Sequence, residues 1–570
     1  MDVEKHNTLA LSESPKAPSS SNDEHHFALE HAETFQTTYE QPLHSGLYKD
    51  GELIKMPAAS RDPKDPMNLP VWRKFLGLLC LSFFGALIAS AELILGAALP
   101  VFAVEYSPLF QPPNKTPEEA GPAPYFKTLQ NAGTGFPAGS NPLVFLELLG
   151  GPPIFEIYYL ATFPLLVIGV SNLFLVPLAI AVGRRPVIIF TGLMAIAGAS
   201  WAGESNSLAT HVAARCIQAV GAGSVESLIP FIIQDIIHVH QRNTWISGAF
   251  ACQGLVIIAI GFSAPYMIVN LSWRWLYHIT AIAASFFLIG IIAFLPETRW
   301  PRTRAEMNGI PRDDAHIHYS PRTWKTDLSI WTGAAWKKGA MAFLDTMQTF
   351  FYPSILFVTL LNGSVIAAVF AAGFTAAPAL LTVPWNWPFD HIGLCLIPVL
   401  IAALFVGVTT GPVADWFANL IAKKRGARIP ENQLINLFLP WACSLLGALL
   451  FGISAQHKEQ YHWIVFLLGL AFMAFGFLGT STITTVYVLE CYPHIAGPAL
   501  VNVASFRFIM AFFLTLWASD WIVDLEYEKT FLIYVGLIAG CGLFIPFVYY
   551  FGPYFRRRFP ATRMAARSHD

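Results

Sequence analysis

The sequence has little charge for its length. Only 13% of its 570 residues are Asp, Glu, Lys or Arg, whereas 54% are hydrophobic; an average soluble domain carries about 25% charged residues. Nearly all of this charge lies before Leu76, after Tyr554 or in short gaps between long apolar runs. The runs have no polar face, which excludes a soluble helical protein. The net charge of −2 argues against a nucleic-acid partner.

Several chemical motifs are also missing. The seven cysteines have neither the spacing of zinc ligands nor an extracellular cluster that indicates disulfides. The sequence contains no Gly-x-Ser-x-Gly motif, no phosphate-binding loop and no His/Glu set with metal-ligand spacing. These absences argue against an enzyme and an ATP-driven pump, and they predict no cofactor and no metal. No signal peptide precedes the first apolar run, so we expect that run to act as the insertion signal.

What the sequence does contain is a series of apolar runs, each long enough to cross a bilayer as a helix. The twelve runs lie near residues 76–104, 157–181, 187–206, 209–233, 245–268, 275–295, 350–378, 392–414, 434–454, 461–488, 498–522 and 530–552. A polar stretch, 297–340, divides them into six and six. We predict an all-α membrane protein with twelve transmembrane helices in two similar halves, a plan common among membrane carriers.

Basic residues in the short gaps predict the orientation. Arg184 and Arg185 lie between two uncharged runs, and Lys423, Lys424 and Arg425 return in the corresponding place of the second half. With the amino terminus inside, the cytosolic segments hold twelve Lys and Arg against four on the opposite side, once the long tail and the linker are discounted. Both termini are therefore predicted to be cytosolic.

These boundaries give a domain plan. The predicted parts are a disordered cytosolic tail at 1–70, an N-terminal six-helix bundle at 71–296, a cytosolic linker at 297–345, a C-terminal six-helix bundle at 346–553 and a basic cytosolic tail at 554–570. The first bundle includes a long extracellular loop, 105–156. In that loop Asn114-Lys115-Thr116 is a glycosylation sequon, and we predict Asn114 as the modified residue.

Motifs in the first half carry a resemblance to a known family. Residues 172–187 follow the pattern N-x4-P-L-A-x3-G-R-R-P-V, residues 215–223 the pattern R-x2-Q-x2-G-x-G, and Pro296-Glu297-Thr298 follows the sixth run. In this order and on this topology, the chain resembles the fungal twelve-span drug/proton antiporter group of the major facilitator superfamily, of the multidrug or toxin efflux type. The resemblance covers roughly residues 62–555. It implies two pseudo-symmetric six-helix bundles around a central cavity that work by alternating access.

The sequence departs from the antiporter pattern in two places. The glycine-rich motif of the fifth run is degraded, reading Gly254 to Gly261 and then Ala264-Pro265-Tyr266, which leaves the direction of transport open. The acidic residue that the family carries before Gly183 is absent, whereas Asp415 retains it in the second half.

Charged and polar residues inside the runs are the candidates for proton coupling or for the cavity, because a charge in hydrocarbon costs about 2.5–3.5 kcal/mol on insertion scales. They are Glu92, Arg215, Gln218, Glu226 and Arg507. Arg215 and Glu226 are eleven residues apart and share one helix face at a distance of about 16 Å. We predict a Glu92–Arg215 pair, which would stabilise the charged carboxylate, and Glu226 as the proton carrier. Arg507 would receive an anionic substrate group or stack on an aromatic ring. Structural helix–helix contacts are the alternative for all five.

A second set of residues predicts a cytosolic gate. It comprises Gly183, Arg184, Arg185, Asp235, Arg242 and Asp415. Because the first hairpin lacks its own acidic residue, we expect Asp235 to be the partner of the paired arginines. The alternative is that these charges only determine topology.

These observations together predict a secondary active transporter. We expect proton-coupled export of a small, largely apolar organic compound, with the substrate, protons and the lipid bilayer as partners, and function as a monomer. The predicted location is the plasma membrane, with the vacuolar or another internal membrane as the alternative. Proton-driven uptake of a small organic nutrient, or a non-transporting membrane sensor or channel, remain the other interpretations.

Overall fold

The computed structural model describes residues 48–49, 52–53, 57–106, 152–302, 306, 312, 318–331, 333–414, 416–417, 430–492 and 495–559. Within these ranges, some side chains lie outside the description, among them Glu92, Glu226 and Arg242. The chain forms two compact units. In the smaller unit, which ends at Met56, the described residues form an antiparallel strand pair, Tyr48–Lys49 and Glu52–Leu53. The larger unit, from Pro57 onward, contains the helices.

Among the described residues, twelve helical segments are long and apolar enough to cross a membrane. The first six lie in helices Val71–Glu105, Ile154–Val182, Arg184–Gly203, Leu208–Ile236, Val239–Asn270 and Trp273–Phe294. The second six are Pro353–Leu381, Phe389–Val408, Pro430–Gln456, Trp463–Cys491, Ala496–Leu516 and the pair Ala518–Gly542 with Phe544–Arg558. They are called the first to twelfth spans. The predicted all-α fold with twelve spans is confirmed.

Shorter elements complete this unit. They are the 3-10 turn Pro66–Asn68, the helix Trp324–Leu328, and the helix Trp336–Thr349, called the linker helix below. The eighth span begins with a 3-10 segment, Phe389–Cys395, and its helix ends in a π-helical turn, Thr409–Val413. The linker between the sixth and seventh spans defines one side of the molecule, the linker face, and the other side is the opposite face.

Small residues allow neighbouring spans to cross closely. A Cβ on Gly221 would overlap Ala195 and meet the carbonyl oxygen of Thr191 at 2.7 Å, where the fourth span crosses the third. In the second half, a Cβ on Gly447 would lie 2.5 Å from the backbone nitrogen of Met473, where the ninth span crosses the tenth. Close backbone approach at small residues is the usual way in which membrane helices associate. The two halves therefore use the same device at corresponding helix pairs.

The two bundles meet towards both faces of the molecule. The Asn172 side chain of the second span donates to Ser505 Oγ of the eleventh at 3.1 Å, and nearer the linker face the Phe231 ring fills the space beside Gly497. Towards the opposite face, a Cβ on Gly96 of the first span would overlap the carbonyl group of Gly373 in the seventh. The interface between the bundles is thus closed at contacts on either side of its centre.

Residues 57–70 differ from the predicted disordered tail. Asp65 is fully buried and Met67 and Leu69 are nearly so, and the Asp65 carboxylate forms an ion pair with Arg302 at 2.8 Å. The Asp65 side chain also accepts from the backbone amides of Ser60 and Met67. Because one buried carboxylate organises this segment, its polar, proline-containing composition does not leave it unfolded. Residues 57–70 are packed against the helical unit in this structure, whereas their composition predicts disorder.

Candidate functional site

A carboxylate caps the third span at the linker face. Glu297, the middle residue of the Pro-Glu-Thr motif, accepts from the backbone amides of Arg184 at 3.0 Å and Arg185 at 3.1 Å. These are the first residues of the span, whose amides have no partner within the helix. The negative charge also lies at the positive end of the helix dipole. The motif after the sixth span therefore fixes the start of the third.

Gly183 makes this cap possible. Its φ is +127°, a backbone conformation that is essentially restricted to glycine. A Cβ at this position would overlap the Glu297 carboxylate. The glycine of the basic hairpin is thus required both by its backbone angles and by the approach of Glu297.

Arg184 pairs with Asp235, the partner that the sequence analysis expected. Its Nε lies 3.0 Å from Asp235 Oδ2, and Thr298 Oγ1 donates to the same oxygen at 3.2 Å. The pair joins the first hairpin, between the second and third spans, to the end of the fourth span. Of the other predicted gate residues, Asp415 and the side chain of Arg242 lie outside the described residues.

Arg185 is buried and connects three segments. Its guanidinium donates to the carbonyl oxygens of Ile292 at 2.7 Å and Leu295 at 3.1 Å, at the end of the sixth span. It also donates to the carbonyl oxygen of Asp327 in the linker. The two neighbouring arginines therefore have different roles, since Arg184 pairs with a carboxylate and Arg185 satisfies helix-end carbonyls.

Asp327 is a linker residue that the sequence analysis did not single out. Its carboxylate lies between the guanidinium groups of Arg73, at 2.6 Å, and Arg322, at 2.7 Å. Arg73 belongs to the first turn of the first span and also donates to the carbonyl oxygen of Phe294. The Asp327 carboxylate therefore joins the start of the first span to the linker, and Arg73 extends this connection to the end of the sixth span.

Arg215 lies fully buried in the fourth span. Its Nη1 donates to Gln218 Oε1, one turn along the same helix, at 2.7 Å, and its guanidinium carbon lies 5.9 Å from the centroid of the Tyr277 ring. Through this bond Gln218 contacts Arg215 on its own helix and not a residue of a neighbouring helix. The side chains of Glu92 and Glu226 lie outside the described residues, so the Glu92–Arg215 pair stays a prediction.

A buried histidine one turn from Arg215 was missed by the sequence analysis. His211 Nδ1 lies 2.9 Å from the Tyr106 hydroxyl and Nε2 lies 3.0 Å from the Tyr277 hydroxyl. The imidazole also stacks on Trp273 with 5.3 Å between ring centroids. The first, fourth and sixth spans thus meet in one hydrogen-bonded chain near the opposite face. A His inside a long apolar run is the signal that points to such a site.

Arg507 is a buried charge in the interior of the second bundle. Its Nη1 donates to Ser481 Oγ at 3.3 Å, and that hydroxyl donates to Asn362 Oδ1 at 3.0 Å. Asn362 in turn donates to Thr484 Oγ1 at 2.8 Å. The seventh, tenth and eleventh spans therefore share one polar chain, which we call the Arg507 chain.

Phenyl rings border this chain on the side of the first bundle. The ring of Phe508 lies 5.3 Å from the Arg507 guanidinium and 6.3 Å from the ring of Phe370, which stacks on Phe374. Phe508 packs against the hydrophobic cores of both bundles. In the same span, Phe512 contacts Phe163 of the second span, with 5.5 Å between centroids. The interface between the bundles is thus aromatic around one buried cation.

The second bundle has its own charged contact at the linker face. Arg556, at the end of the twelfth span, makes a bidentate pair with Glu431, through Nε at 3.0 Å and Nη2 at 2.9 Å. Glu431 is almost fully buried, and the approach of its side chain leaves no room for a Cβ on Gly552. The sequence pattern predicts the second-half cluster at Asp415 and does not indicate this pair.

Lys458 lies on the opposite face, between the ninth and tenth spans. Its Nζ donates to the carbonyl oxygen of Ala379 at 2.7 Å and to the Thr382 hydroxyl, at the end of the seventh span. The ammonium also lies 5.5 Å from the centroid of Trp385. Burial lowers the pKa of Lys458 to about 7. This lysine therefore satisfies the terminal carbonyls of a helix at the cost of its own hydration.

Comparison with known families now identifies the chain. The model of the Major Facilitator Superfamily matches residues 78–513, which include nine of the twelve spans in full and most of the first and eleventh. The chain belongs to the Major Facilitator Superfamily. Members of this superfamily are membrane transporters, so the protein is a multi-pass transporter and not an enzyme.

Individual superfamily members support the assignment. An uncharacterized MFS-type transporter of Schizosaccharomyces pombe is 22% identical over 572 residues, covering 90% of this chain and 88% of that protein. The efflux pump FUB11 of Gibberella fujikuroi is 24% identical, over 66% of this chain and 64% of its own. The crystal structure of the D-xylose-proton symporter has a TM-score of 0.54 at 15% identity, over 83% of this chain and 97% of its own. The last likeness concerns the fold alone.

Proposed function

We propose that this transporter exports a small, largely apolar organic compound in exchange for protons, by alternating access. It resides in the plasma membrane with the linker face and both termini in the cytosol. The observation that carries the proposal is the centre of the bundle interface, where the Phe508 ring lies beside the Arg507 guanidinium and next to the Phe370 ring. Flat rings beside one cation suit an aromatic compound with an acidic or electron-rich group. The similarity to a fungal efflux pump over two thirds of the chain supports export.

The first bundle carries the proposed proton site. Arg215 lies within one turn of Gln218 and close to the His211 chain, so the outer half of this bundle already contains a charge and several hydrogen-bonding groups. Glu92 would pair with Arg215, and Glu226, about 16 Å further along the fourth span, would take up and release the proton.

The proposed gate lies at the linker face. Ala181, at the end of the second span, accepts from the backbone amide of Ala335, just before the linker helix, at 2.8 Å. The linker helix accepts at the Thr346 carbonyl from Asn502 of the eleventh span, at 2.8 Å. The hairpin of Gly183, Arg184 and Arg185 is therefore connected through the linker helix to the second bundle. Opening this face requires these contacts to separate while those at the opposite face hold.

Export is tested by measuring accumulation. Cells with and without the gene are loaded with a panel of aromatic toxins and metabolites, and retention of each compound is followed over time. Export predicts lower retention in cells that express the protein, and loss of that difference in Arg507→Ala. Higher retention in expressing cells would instead identify proton-driven uptake of a nutrient. Equal retention for every compound would favour a sensor.

Coupling is tested in proteoliposomes with an imposed pH gradient. Glu226→Gln keeps the shape of the side chain but removes its titration, and should abolish the gradient dependence of flux. Glu204→Gln is the matched control, because Glu204 lies after the third span on the opposite face with 76% of its side chain exposed. Undiminished gradient-driven flux in Glu226→Gln would remove Glu226 from the mechanism. Flux that does not saturate with substrate would indicate a channel.

A further inference from the structure

The linker exposes an unusual number of large apolar side chains for a segment between spans. Trp331 is 58% exposed, Trp336 62% and Phe351 74%. Further exposed apolar side chains in the same segment are Trp324, Leu328, Ile330 and Leu344. Tryptophan is concentrated where one side of a ring meets hydrocarbon and the other meets water. A linker facing only water would leave this apolar surface without a partner.

The linker helix has two distinct faces. Its inner face packs on the protein: a Cβ on Gly339 would lie 2.6 Å from that of Ala181, and Ala342 and Thr346 are buried. Its outer face follows the four-residue spacing of a helix and presents Trp336 and Leu344. The apolar outer face is therefore a consequence of how the helix is fixed on the second and eleventh spans, and not of a loosely held segment.

The apolar surface of the linker continues onto the first turn of the first span. The Arg73 guanidinium lies 4.9 Å from the Trp324 ring, which places that ring beside the first turn of the first span. Trp72 and Phe75 in that turn are 57% and 52% exposed. Since a helix that enters a bilayer carries its exposed aromatic residues at the headgroup level, the exposed side of the linker lies at the same level.

Positive charge accompanies the apolar side chains. Lys325, Lys337 and Lys338 are all exposed. Apolar residues combined with lysines on one surface are typical of segments that lie in the interface and attract anionic lipids.

We propose that the linker, residues 324–351, is docked on the bilayer and binds anionic phospholipid headgroups. Tryptophan and leucine side chains enter the headgroup boundary, and the three lysines contact the phosphate or carboxylate groups. With the orientation proposed above, this leaflet is the cytosolic one, which carries the anionic lipids. Because the linker helix contacts both bundles, lipid binding would hold this helix in place. The linker helix is the element that connects the proposed gate, the hairpin of Gly183, Arg184 and Arg185, to the second bundle.

The test is spectroscopic and needs no transport substrate. Nitroxides are attached through Trp331→Cys, Leu344→Cys or Ser320→Cys, and the reconstituted protein is exposed to oxygen and to a water-soluble nickel chelate. The chain's own cysteines are buried or half-buried, and the unsubstituted protein treated with the same reagent is the blank. Labels at positions 331 and 344 should collide with oxygen, which is concentrated in the bilayer, more often than with the nickel chelate. The label at the exposed Ser320 should collide with the nickel chelate more often than with oxygen. Equal nickel accessibility at all three positions would overturn the proposal.

The headgroup requirement is tested by charge reversal. Lys325→Glu, Lys337→Glu and Lys338→Glu are combined, and depth at position 331 is compared in phosphatidylcholine vesicles with and without phosphatidylserine. Each lysine should contribute about fivefold to docking in the anionic vesicles, so the triple variant should move outward there. Lys529→Glu is the control, because Lys529 is exposed and lies away from the linker face. This substitution should leave the depth of the label at position 331 unchanged. If the label at position 331 keeps the same depth in the triple variant, the lipid assignment is overturned. Dipolar broadening between labels on two copies of the protein would also overturn it, because the surface would then be covered by a second copy and not by lipid.

Discussion

The contact between Gly183 and Glu297 gives a sharp prediction for a single methyl group. In Gly183→Ala, the backbone angle alone costs about 1–3 kcal/mol, because φ +127° is essentially restricted to glycine. The new Cβ also displaces a carboxylate that accepts two helix amides, and losing one such charged hydrogen bond costs about 1.5–3 kcal/mol. The expected loss of unfolding free energy is therefore about 2.5–6 kcal/mol.

The assay is denaturant-induced unfolding of the protein in detergent, followed by tryptophan fluorescence. Gly254→Ala is the matched control, because no heavy atom lies within 4 Å of a Cβ placed on that helical glycine. Its unfolding free energy should stay the same or rise slightly, since alanine favours a helix.

A double-mutant cycle with Glu297→Ala separates the two contributions. In that background, Gly183→Ala should cost only the backbone part, so the two changes should be non-additive by about 1.5–3 kcal/mol. Full additivity, or a Gly183→Ala protein as stable as the unsubstituted one, would refute the cap at the start of the third span.

Three further predictions concern other contacts. Lys458→Met should remove a pH dependence: between pH 7 and 10.5 the unfolded lysine keeps a proton that the folded lysine has lost, because burial lowers its pKa to about 7. The unfolding free energy of the unsubstituted protein should rise across this range by up to about 1.4 kcal/mol per pH unit, whereas that of the variant should stay constant. Parallel curves of unfolding free energy against pH for the two proteins would contradict this. His211→Leu removes the hydrogen bonds between the imidazole and the hydroxyls of Tyr106 and Tyr277 and should cost about 0.5–1.5 kcal/mol per bond in the same unfolding assay. An unchanged unfolding free energy would argue against the hydrogen-bonded chain. Asn172→Ala removes a bond worth about 1 kcal/mol between the bundles. The thiol in Ile509→Cys, one turn along the eleventh span and beside Gly169 of the second span, should then react about fivefold faster with an aqueous maleimide, and an unchanged rate would exclude a gating role for that bond.

The sequence predicted the number of spans and the partner of Arg184 for a simple reason. Uninterrupted apolar runs of span length have few other stable arrangements, and a buried basic hairpin needs a carboxylate nearby. Asp235 is an acidic residue that the topology brings to that side of the first bundle, at the end of the fourth span. Both predictions depend only on the lengths of the apolar runs and on the fact that successive loops lie on alternate sides of the membrane.

Contacts between distant segments were not predictable in the same way. Glu297 belongs to a recognised motif, but its role as a helix cap depends on the approach of two segments 113 residues apart. Glu431 and Arg556 are separated by 125 residues and lie in different spans. Asp65 occurs in a segment whose composition is that of a disordered tail, yet its pairing with Arg302 orders that segment. In each case one charge finds its partner only after the helices have packed.

Exchange of an apolar compound for protons is tested most directly with a pH-sensitive dye inside proteoliposomes. An imposed gradient of a compound identified by the export panel should drive protons across the membrane in the opposite direction, and Glu226→Gln should abolish that movement. Protons that move in the same direction as the compound, or compound flux without any proton movement, would contradict the account.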